Sequence, residues 1–451
     1  MEKELVKIAE KYPDSSVATE VVDVSKDRRI IRERIRESNL CICLLPDEFT
    51  ADMARICIEE STHFISAMYV DPNVEAFDDV AREKKLVILN EVGLDPGLDH
   101  MLAMKTIERA REEGCEVDEF ISYCGGIPAA SSVDPGDLLK YKFSWSPRTA
   151  VYFLRRLATY LQDGEVRIGR QLWGCFVDFV SDASFGGATR EISSKVSEEL
   201  RDLVIVEIDI GDRSAGRRTD GPRRAVLDDL DLEVFPNGDS LSCEKEYGLH
   251  PGSRTLRRGT LRYRGFSHGI KALQNIGLFD LSGPKEIPSV QIAWREYLCL
   301  LHGLPVQTPQ DALEGHLSMI LSGDAHQLAV LRSLGLTTDT PVVPGPSPLD
   351  TLAGHLEKCL TYREGERDMV VLYIEARGRG RRFQSHLVTE GDSKWSAMAK
   401  TVGIPIATAA ELILEGKVQE TGVIRPITDD FIRPTLQALE REGIAIMSSE
   451  L

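Results

Sequence analysis

The hydrophobic pattern of the first hundred residues alternates between short apolar runs and amphipathic stretches. The apolar runs have the length and β-branched content of buried strands and occupy 17–24, 40–46, 63–70 and 86–93. The stretches between them, such as 51–61 and 74–85, have apolar residues at helical spacing. Because strands that alternate with amphipathic helices form parallel sheets covered on both faces, the pattern predicts an α/β, doubly wound, Rossmann-like domain.

A glycine-rich phosphate loop is the usual first feature of such a domain, where a strand runs into G-x-G-x-x-G at a helix N-terminus. That pattern does not occur in the sequence, and Gly378-Arg379-Gly380 is followed by two arginines, as in a surface turn. We therefore expect an incomplete Rossmann-like domain whose first βα unit is missing. Such a domain is expected to bind a dinucleotide weakly.

The remaining chain predicts a mixed α/β region with a helical insert. Helical periodicity dominates 271–360, and the arginine-rich stretch 213–224 has no apolar face, so we expect it to be poorly ordered and outside the site. The predicted domains are a dinucleotide-binding domain, a substrate domain containing an atypical, partly flexible insertion at 165–225, and a helical subdomain. They comprise, respectively, 1–99 with 391–451, 100–270 with 361–390, and 271–360.

Composition excludes several classes of function. The 72 acidic residues outnumber the 54 basic ones, and the net charge of -18 repels nucleic acid and anionic membranes. The nine cysteines are odd in number and scattered, which is typical of a reducing compartment and predicts neither a disulfide framework nor a metal site. No apolar run approaches the roughly 18 residues that span a bilayer, and no export signal is expected.

Seven segments, in order along nearly the whole chain, resemble the glutamate-forming saccharopine dehydrogenase family, including the C-terminal half of the bifunctional aminoadipic semialdehyde synthases of animals. They are NEVGLDPGLDHMLAM (90–104), ISYCGGIPA (121–129), LKYKFSWSP (139–147), FPNGDS (235–240), LRRGTLRYRGF (256–266), REGERDMVVL (363–372) and WSAMAKTVGIP (395–405). The resemblance implies oxidation of saccharopine to glutamate and 2-aminoadipic 6-semialdehyde in lysine degradation. It implies NAD as the cofactor, with NADP left open.

The same resemblance implies partners and a location. Saccharopine is the expected small-molecule substrate, and a lysine-ketoglutarate reductase domain is expected in the same full-length chain. A homo-oligomer in the mitochondrial matrix is implied, with the cytoplasm as the alternative. No nucleic acid or membrane partner is expected.

Asp95 directly follows a predicted strand, and ligands of open α/β sheets bind at the carboxyl ends of strands. The structural alternative is that Asp-Pro-Gly makes a turn and Asp99 caps the following helix. The resemblance implies dinucleotide contacts at Leu45, Ala67, Leu94, Asp95 and Pro96. It implies saccharopine contacts at Met68, Tyr69, Asp95, Thr260, Leu261 and Arg262.

Arg262 is the favoured carboxylate ligand, because a guanidinium can grip a carboxylate with two hydrogen bonds; a surface salt bridge is its structural alternative. The family has an arginine where this chain has Gly238, and commonly a serine at Met68. Trp145 is a candidate wall of the nicotinamide pocket, with a core position as the alternative. Asp95, Tyr69 and Cys124 are unranked candidates for the proton-transferring group. We expect these three and Arg262 to share one cleft between the first two domains.

Two other functions compete with this reading. A non-catalytic or truncated member of the family with a structural or subunit-contact role is favoured by Gly238, Met68 and the missing glycine loop. A relative that forms carboxynorspermidine or spermidine would share the fold and the imine chemistry. The intact GLDPGLDH, YCGG and GTLRY segments favour the dehydrogenase.

Overall fold

The computed structural model describes residues 18–134, 136–170, 230–283 and 290–450. The arginine-rich stretch 213–224 and most of the predicted insertion at 165–225 lie outside the described residues.

The described α-helices, in chain order, are α1 (Arg28–Arg36), α2 (Thr50–Glu60), α3 (Pro72–Glu75), α4 (Asp78–Glu83), α5 (Leu98–Glu112), α6 (Pro147–Phe153), α7 (Ser242–Glu246), α8 (Phe266–Asn275), α9 (Trp294–Leu301), α10 (Gln310–Ile320), α11 (Ala325–Ser333), α12 (Pro348–Cys359), α13 (Ala397–Leu414) and α14 (Asp429–Arg441). The described strands are β1 (Leu40–Cys43), β2 (His63–Ser66), β3 (Val87–Leu89), β4 (Glu119–Pro128), β5 (Leu157–Gln162), β6 (Glu165–Arg170), β7 (Leu232–Pro236), β8 (Thr255–Tyr263), β9 (Ile292–Ala293), β10 (Pro341–Val342), β11 (Asp368–Gly378), β12 (Arg381–Glu390), β13 (Gly422–Ile424) and β14 (Ile446–Glu450).

The chain divides into two compact units, of which the first holds the described residues up to Gly97 together with Gly403–Thr435. Its sheet has the order β1-β2-β3-β13, and every neighbouring pair is parallel. The predicted parallel pairing is therefore confirmed for the strands within 40–46, 63–70 and 86–93. The predicted strand at 17–24 is wrong, because 18–23 has no regular secondary structure.

The first unit has its own apolar core. Phe64 and Ile88 from neighbouring strands are fully buried, and Ile56 and Cys57 of α2 belong to the same cluster. Burying a side chain of this size stabilises the fold by about 1.5–3 kcal/mol. Because all the strands run in the same direction, the segments that follow them lie at one edge of the sheet.

The second unit comprises Leu98–Val402 and Leu436–Leu451 and contains an eight-stranded mixed sheet. Its order is β14-β12-β11-β4-β8-β5-β6, and β7 also pairs with β8. Only the central β4–β8 pair is parallel; the other described pairs of this sheet are antiparallel. The carboxyl ends of β4 and β8 therefore lie side by side.

A helical cluster in the second unit surrounds Trp294, which is fully buried. Two of its helices start at side-chain caps. The Asp324 side chain accepts a hydrogen bond from the Gln327 amide at the start of α11, and the Ser347 hydroxyl accepts one from the Asp350 amide at the start of α12. Helical periodicity over 271–360 predicted these elements.

The predicted division into three domains remains a prediction. The stretch 391–451 was predicted to belong to the first domain, but it is divided between the two observed units. Its last strand, β14, pairs with β12 at one edge of the eight-stranded sheet of the second unit. The separate helical subdomain at 271–360 lies within the second unit.

One described helix, α13, is long and apolar enough to cross a bilayer by length and composition, which the search for apolar runs in the sequence did not find. Core helices of water-soluble proteins also meet this criterion. A proline, Pro405, lies inside the helix.

Candidate active site

The segments that follow β2 and β3 run side by side at the carboxyl edge of the parallel sheet. The amide of Val92 donates to the carbonyl of Ser66 at 3.1 Å, and the amide of Glu91 donates to the carbonyl of Met68 at 3.1 Å. This pairing brings the predicted contacts at 67–69 next to those at 94–96. The edge of the sheet at which ligands of such folds bind is therefore built here from two consecutive strand ends, and its role in this chain stays a prediction.

Tyr69 and Asp95 are joined directly. The Tyr69 hydroxyl donates a hydrogen bond of 2.9 Å to Asp95 Oδ1, in a partly buried position. Two of the three residues proposed for proton transfer from the sequence thus form one hydrogen-bonded pair.

The turn that carries Asp95 requires glycine at two places. Gly97 has φ +143°, and a Cβ there would lie 2.2 Å from the backbone of Gly93. A Cβ on Gly93 would lie 3.1 Å from the Pro96 carbonyl oxygen and 3.3 Å from the Ala67 Cβ. Close backbone approach at Gly93 thus places Ala67 and Pro96, both predicted dinucleotide contacts, against the same glycine.

Glu91 and Asn90 support this edge, and neither was identified from the sequence. The Glu91 carboxylate is buried and accepts hydrogen bonds from the Val70 amide at 3.0 Å and from Arg425 Nε at 3.1 Å. Asn90 is fully buried, yet neither Oδ1 nor Nδ2 has a hydrogen-bond partner in the described part of the chain. A buried amide without partners is rare in folded proteins, and a bound polar group is one of its explanations.

Leu45 is the remaining predicted dinucleotide contact. It follows β1 and is partly buried against the core of the first unit. Its predicted role, like those of Ala67, Leu94 and Pro96, stays a prediction.

The second group of predicted residues lies where β4 and β8 end. Cys124 is in register with Thr260 on the parallel neighbour strand. A Cβ on Gly125 would lie 2.7 Å from the Leu261 carbonyl oxygen, so glycine permits this close approach. Cys124 is buried, at 5% exposed, as inert cysteines usually are.

Arg262 lies inside an aromatic cage. Its guanidinium carbon is 4.7 Å from the ring centre of Tyr141, 5.6 Å from Phe266 and 6.0 Å from Phe235. The side chain is buried, and its hydrogen bonds within the described residues go to a carbonyl and a hydroxyl, not to a carboxylate. The surface salt bridge considered as its alternative is therefore wrong.

The hydrogen bonds of Arg262 leave one donor unused. Nη1 donates to the Leu261 carbonyl at 2.7 Å, and Nη2 donates to the Tyr141 hydroxyl at 3.5 Å. Nε has no partner in the described part of the chain. A buried cation without a carboxylate is costly, so this arrangement fits an anionic ligand.

Other residues singled out from the sequence have structural partners. Asp99 Oδ2 forms a buried ion pair with Arg258 Nη2 at 2.8 Å, and the adjacent His100 hydrogen-bonds the Tyr247 hydroxyl at 2.7 Å. The Trp145 ring lies 5.8 Å from that of Phe153. The Gly238 carbonyl accepts a hydrogen bond from the Thr159 amide at 2.9 Å.

The structure therefore brings the predicted residues together in two groups, Tyr69 with Asp95 in the first unit and Cys124, Thr260, Leu261 and Arg262 in the second. Their predicted convergence on one cleft remains a prediction. Among the described residues, no three His, Cys, Asp or Glu side chains are grouped to hold a metal ion.

Two family models match the chain. The saccharopine dehydrogenase NADP binding domain matches residues 1–89, and the saccharopine dehydrogenase C-terminal domain matches 93–172 and 171–444. In structure, the chain is similar to apo histidine-tagged saccharopine dehydrogenase (L-Glu forming) from Saccharomyces cerevisiae. That likeness has a TM-score of 0.75 and 27% identity, and it covers 99% of this chain and 92% of the other.

Relatives of two kinds are similar in sequence. The mitochondrial alpha-aminoadipic semialdehyde synthase of Bos taurus is 31% identical over 98% of this chain, which spans 44% of that protein's length. The saccharopine dehydrogenase [NADP(+), L-glutamate-forming] of Pyricularia oryzae is 30% identical over 94% of this chain and 86% of its own length. With matches over nearly its whole length, the chain belongs to the saccharopine dehydrogenase family.

Proposed function

We propose that the chain is an oxidoreductase that oxidises saccharopine, with water, to glutamate and 2-aminoadipic 6-semialdehyde, a step of lysine degradation. The observation that carries the proposal is the 2.9 Å hydrogen bond between Tyr69 and Asp95 at the ligand edge of the parallel sheet. It provides a paired acid and base where the chemistry of this fold takes place. The names of the fungal and animal relatives support the substrate.

A nicotinamide dinucleotide fits the first unit. The unsatisfied amide of Asn90 lies at the end of β3, next to the segment that holds Leu94, Asp95 and Pro96. Ala67 follows β2, the strand beside β3, and Leu45 follows β1, the strand beyond β2. The sequence predicted NAD; the matched NADP binding domain and the names of the fungal relatives support NADP, which we propose as the oxidant.

The bound dinucleotide would accept the hydride that leaves the carbon beside the secondary amine of saccharopine. Asp95 is the proposed base that takes the proton of the amine, and Tyr69 fixes the orientation of its carboxylate. Water then adds to the iminium carbon, and the carbinolamine breaks into aldehyde and amine as the proton returns to nitrogen. Cys124 is buried and is assigned to the wall of the substrate site.

Arg262 is proposed to hold one of the three carboxylates of saccharopine. Its aromatic surroundings exclude water, and a charge-assisted hydrogen bond is worth about 1.5–3 kcal/mol. Thr260 and Leu261 belong to the same strand end and complete this part of the proposed substrate site.

The test is to assay the purified chain with saccharopine and either NADP or NAD, following the reduced nicotinamide and the glutamate formed. Asp95→Asn should lower kcat by at least about a hundredfold. Asp79→Asn, an exposed aspartate of the same unit, is the matched control. If the folded chain forms no glutamate with either dinucleotide, the non-catalytic alternative is correct.

Partners and location are proposals of the same kind. The chain spans less than half the length of the animal relatives, so a lysine-ketoglutarate reductase domain in the same protein is proposed from them. A mitochondrial location follows from the names of those relatives. Sedimentation equilibrium would test the proposed homo-oligomer.

A further inference from the structure

Tyr362 is a residue of the second unit with a hydroxyl that no hydrogen bond of the described fold satisfies. It lies between the end of α12 at Cys359 and the start of β11 at Asp368. Its Oη is buried and has no hydrogen-bond partner in the described part of the chain. Leaving a hydroxyl buried and unsatisfied costs about 1–3 kcal/mol. A position that is costly for the fold alone points to a ligand.

Tyr362 is held close to the aromatic cage of Arg262. The Phe143 amide donates a 2.9 Å hydrogen bond to the Leu360 carbonyl, which fastens the segment before Tyr362 to the loop that carries Tyr141. The ring of Tyr141 packs on Phe143, with 5.0 Å between the centroids, and stacks under the Arg262 guanidinium. Tyr362 follows Leu360 closely in the chain, so the backbone that carries its side chain starts beside this cage.

The carboxylate of Asp368, at the start of β11, already accepts hydrogen bonds from the protein. Asp368 Oδ1 accepts a hydrogen bond from the Ala397 amide at 2.6 Å, and Oδ2 accepts one from the Met398 amide at 2.9 Å. Asp368 therefore caps the start of α13. Arg262 Nε and the Tyr362 hydroxyl are left without an acceptor in the described part of the chain.

Arg262 Nε and the Tyr362 hydroxyl can both donate a hydrogen bond to a ligand. Arg262 Nε is an obligate donor, since a guanidinium does not deprotonate in proteins. Burial raises the pKa of the Tyr362 hydroxyl far above its usual value of 10.0, so it stays protonated and can donate. Two donors beside one positive charge match an acceptor that carries a negative charge.

We propose that Tyr362 and Arg262 together bind one carboxylate of the substrate, and that Tyr362 makes this position selective for a carboxylate over a carboxamide. The inference deepens the proposed function and rests on it. A carboxamide would present its own N–H groups to one of these donors and leave that donor unsatisfied, whereas both oxygens of a carboxylate accept. The Tyr362 hydroxyl thus contributes to both affinity and selectivity.

Tyr362→Phe gives a result that a structural role would not produce. Removing an unsatisfied buried hydroxyl should leave the melting temperature of the ligand-free protein unchanged or higher. The same change should raise KM for saccharopine about tenfold, with a smaller effect on kcat. The wild type should prefer saccharopine over the monoamide in which the carboxylate held by these residues is replaced. In Tyr362→Phe this preference should fall about tenfold.

Tyr152→Phe is the matched control, because the Tyr152 hydroxyl donates to Asp350 at 3.1 Å within the same unit. It should lower stability and leave KM and selectivity unchanged. An unchanged KM in Tyr362→Phe, with the wild type active, would overturn the inference and leave the proposed function standing. If the wild type does not turn over, calorimetric titration of both proteins with saccharopine still decides: equal affinities contradict the inference, and a tenfold weaker variant supports it.

Discussion

The hydroxyl of Tyr69 donates a hydrogen bond to Asp95. Tyr69→Phe keeps the ring and removes that bond, so the orientation of the proposed base is lost. We expect kcat for saccharopine oxidation to fall about ten- to a hundredfold, with an unchanged melting temperature. Steady-state kinetics and thermal unfolding measure both quantities. A full kcat in the variant would assign proton transfer to another group.

The buried ion pair of Asp99 and Arg258 is a second feature at this scale. Both side chains are almost completely shielded from water. Asp99→Ala would remove one partner of a buried ion pair, which costs about 3–5 kcal/mol. Urea unfolding should show this loss of stability.

Glu108→Ala is the control for that loss, because Glu108 lies in the same helix and forms an exposed pair with Lys105. Its substitution should change the free energy of unfolding by less than about 0.5 kcal/mol. Similar losses in the two variants would contradict the importance assigned to the buried pair.

Sequence reasoning identified single residues where a family motif marked them and missed those defined by distant partners. Asp95 and Tyr69 were found from their motif and strand-end positions. The partner of Asp99 is 159 residues away, and no local pattern connects them. Asn90 and Tyr362 stand out only because their buried polar atoms lack partners, which requires coordinates to see.

Helices α10 and α11 are tied together by Glu314. Its carboxylate accepts hydrogen bonds from Arg332 at 2.6 Å and 3.0 Å and from the Thr337 hydroxyl at 2.8 Å. The hydrogen bond from Arg332, aided by those from Gln310 and Thr337, lowers the pKa of Glu314 to about 2. A depressed pKa in the folded state stabilises the fold at pH values above the unfolded pKa of about 4.5. This stabilisation is lost as the pH falls towards 2.

Glu314→Gln should therefore cost about 1 kcal/mol near neutral pH and progressively less below pH about 4.5. Urea unfolding followed by tryptophan fluorescence, at pH about 6.5 and about 3.5, measures the difference. Glu357→Gln, at an exposed position of α12, should have no effect at either pH. A cost that does not depend on pH would mean that packing, and not charge, is lost.

Elements were predictable where they were long and periodic. The structure has two short helices where one helix was expected over 74–85. Ala76 is the C-cap of the first, and Phe77 is the N-cap of the second. Strand β13 has three residues, too few for a pattern of alternation, and it was not predicted. The apolar content of 17–24 suggested a strand, although most of 18–24 is exposed and unpaired in any described sheet.

Each unit buries its own set of apolar side chains. The positions of the tryptophans allow fluorescence to report on one unit. Trp145, Trp294 and Trp395 fall within the second unit, and Trp173 lies outside the described residues. Phe64→Ala empties a fully buried position of the first unit and should destabilise that unit by about 3–5 kcal/mol.

In Phe64→Ala, the free energy of unfolding measured by tryptophan fluorescence should stay within about 0.5 kcal/mol of the wild-type value. Far-ultraviolet circular dichroism should show a further transition at a lower denaturant concentration. A parallel shift of both signals would show that the two units unfold as one cooperative body. In that case the stability of the first unit could not be assigned to its own core alone.

The central pairing of β4 with β8 also has a consequence for how quickly the protein forms. These strands lie at 119–128 and 255–263, and β11, the other neighbour of β4, lies at 368–378. Chain segments so far apart must meet before the strand ends that carry Cys124 and Arg262 are in place, and such long-range closures are slow steps. After dilution from denaturant, helices should form early and the ability to bind saccharopine late. During that interval the exposed edges of the unfinished sheet are the part of the chain most prone to aggregate.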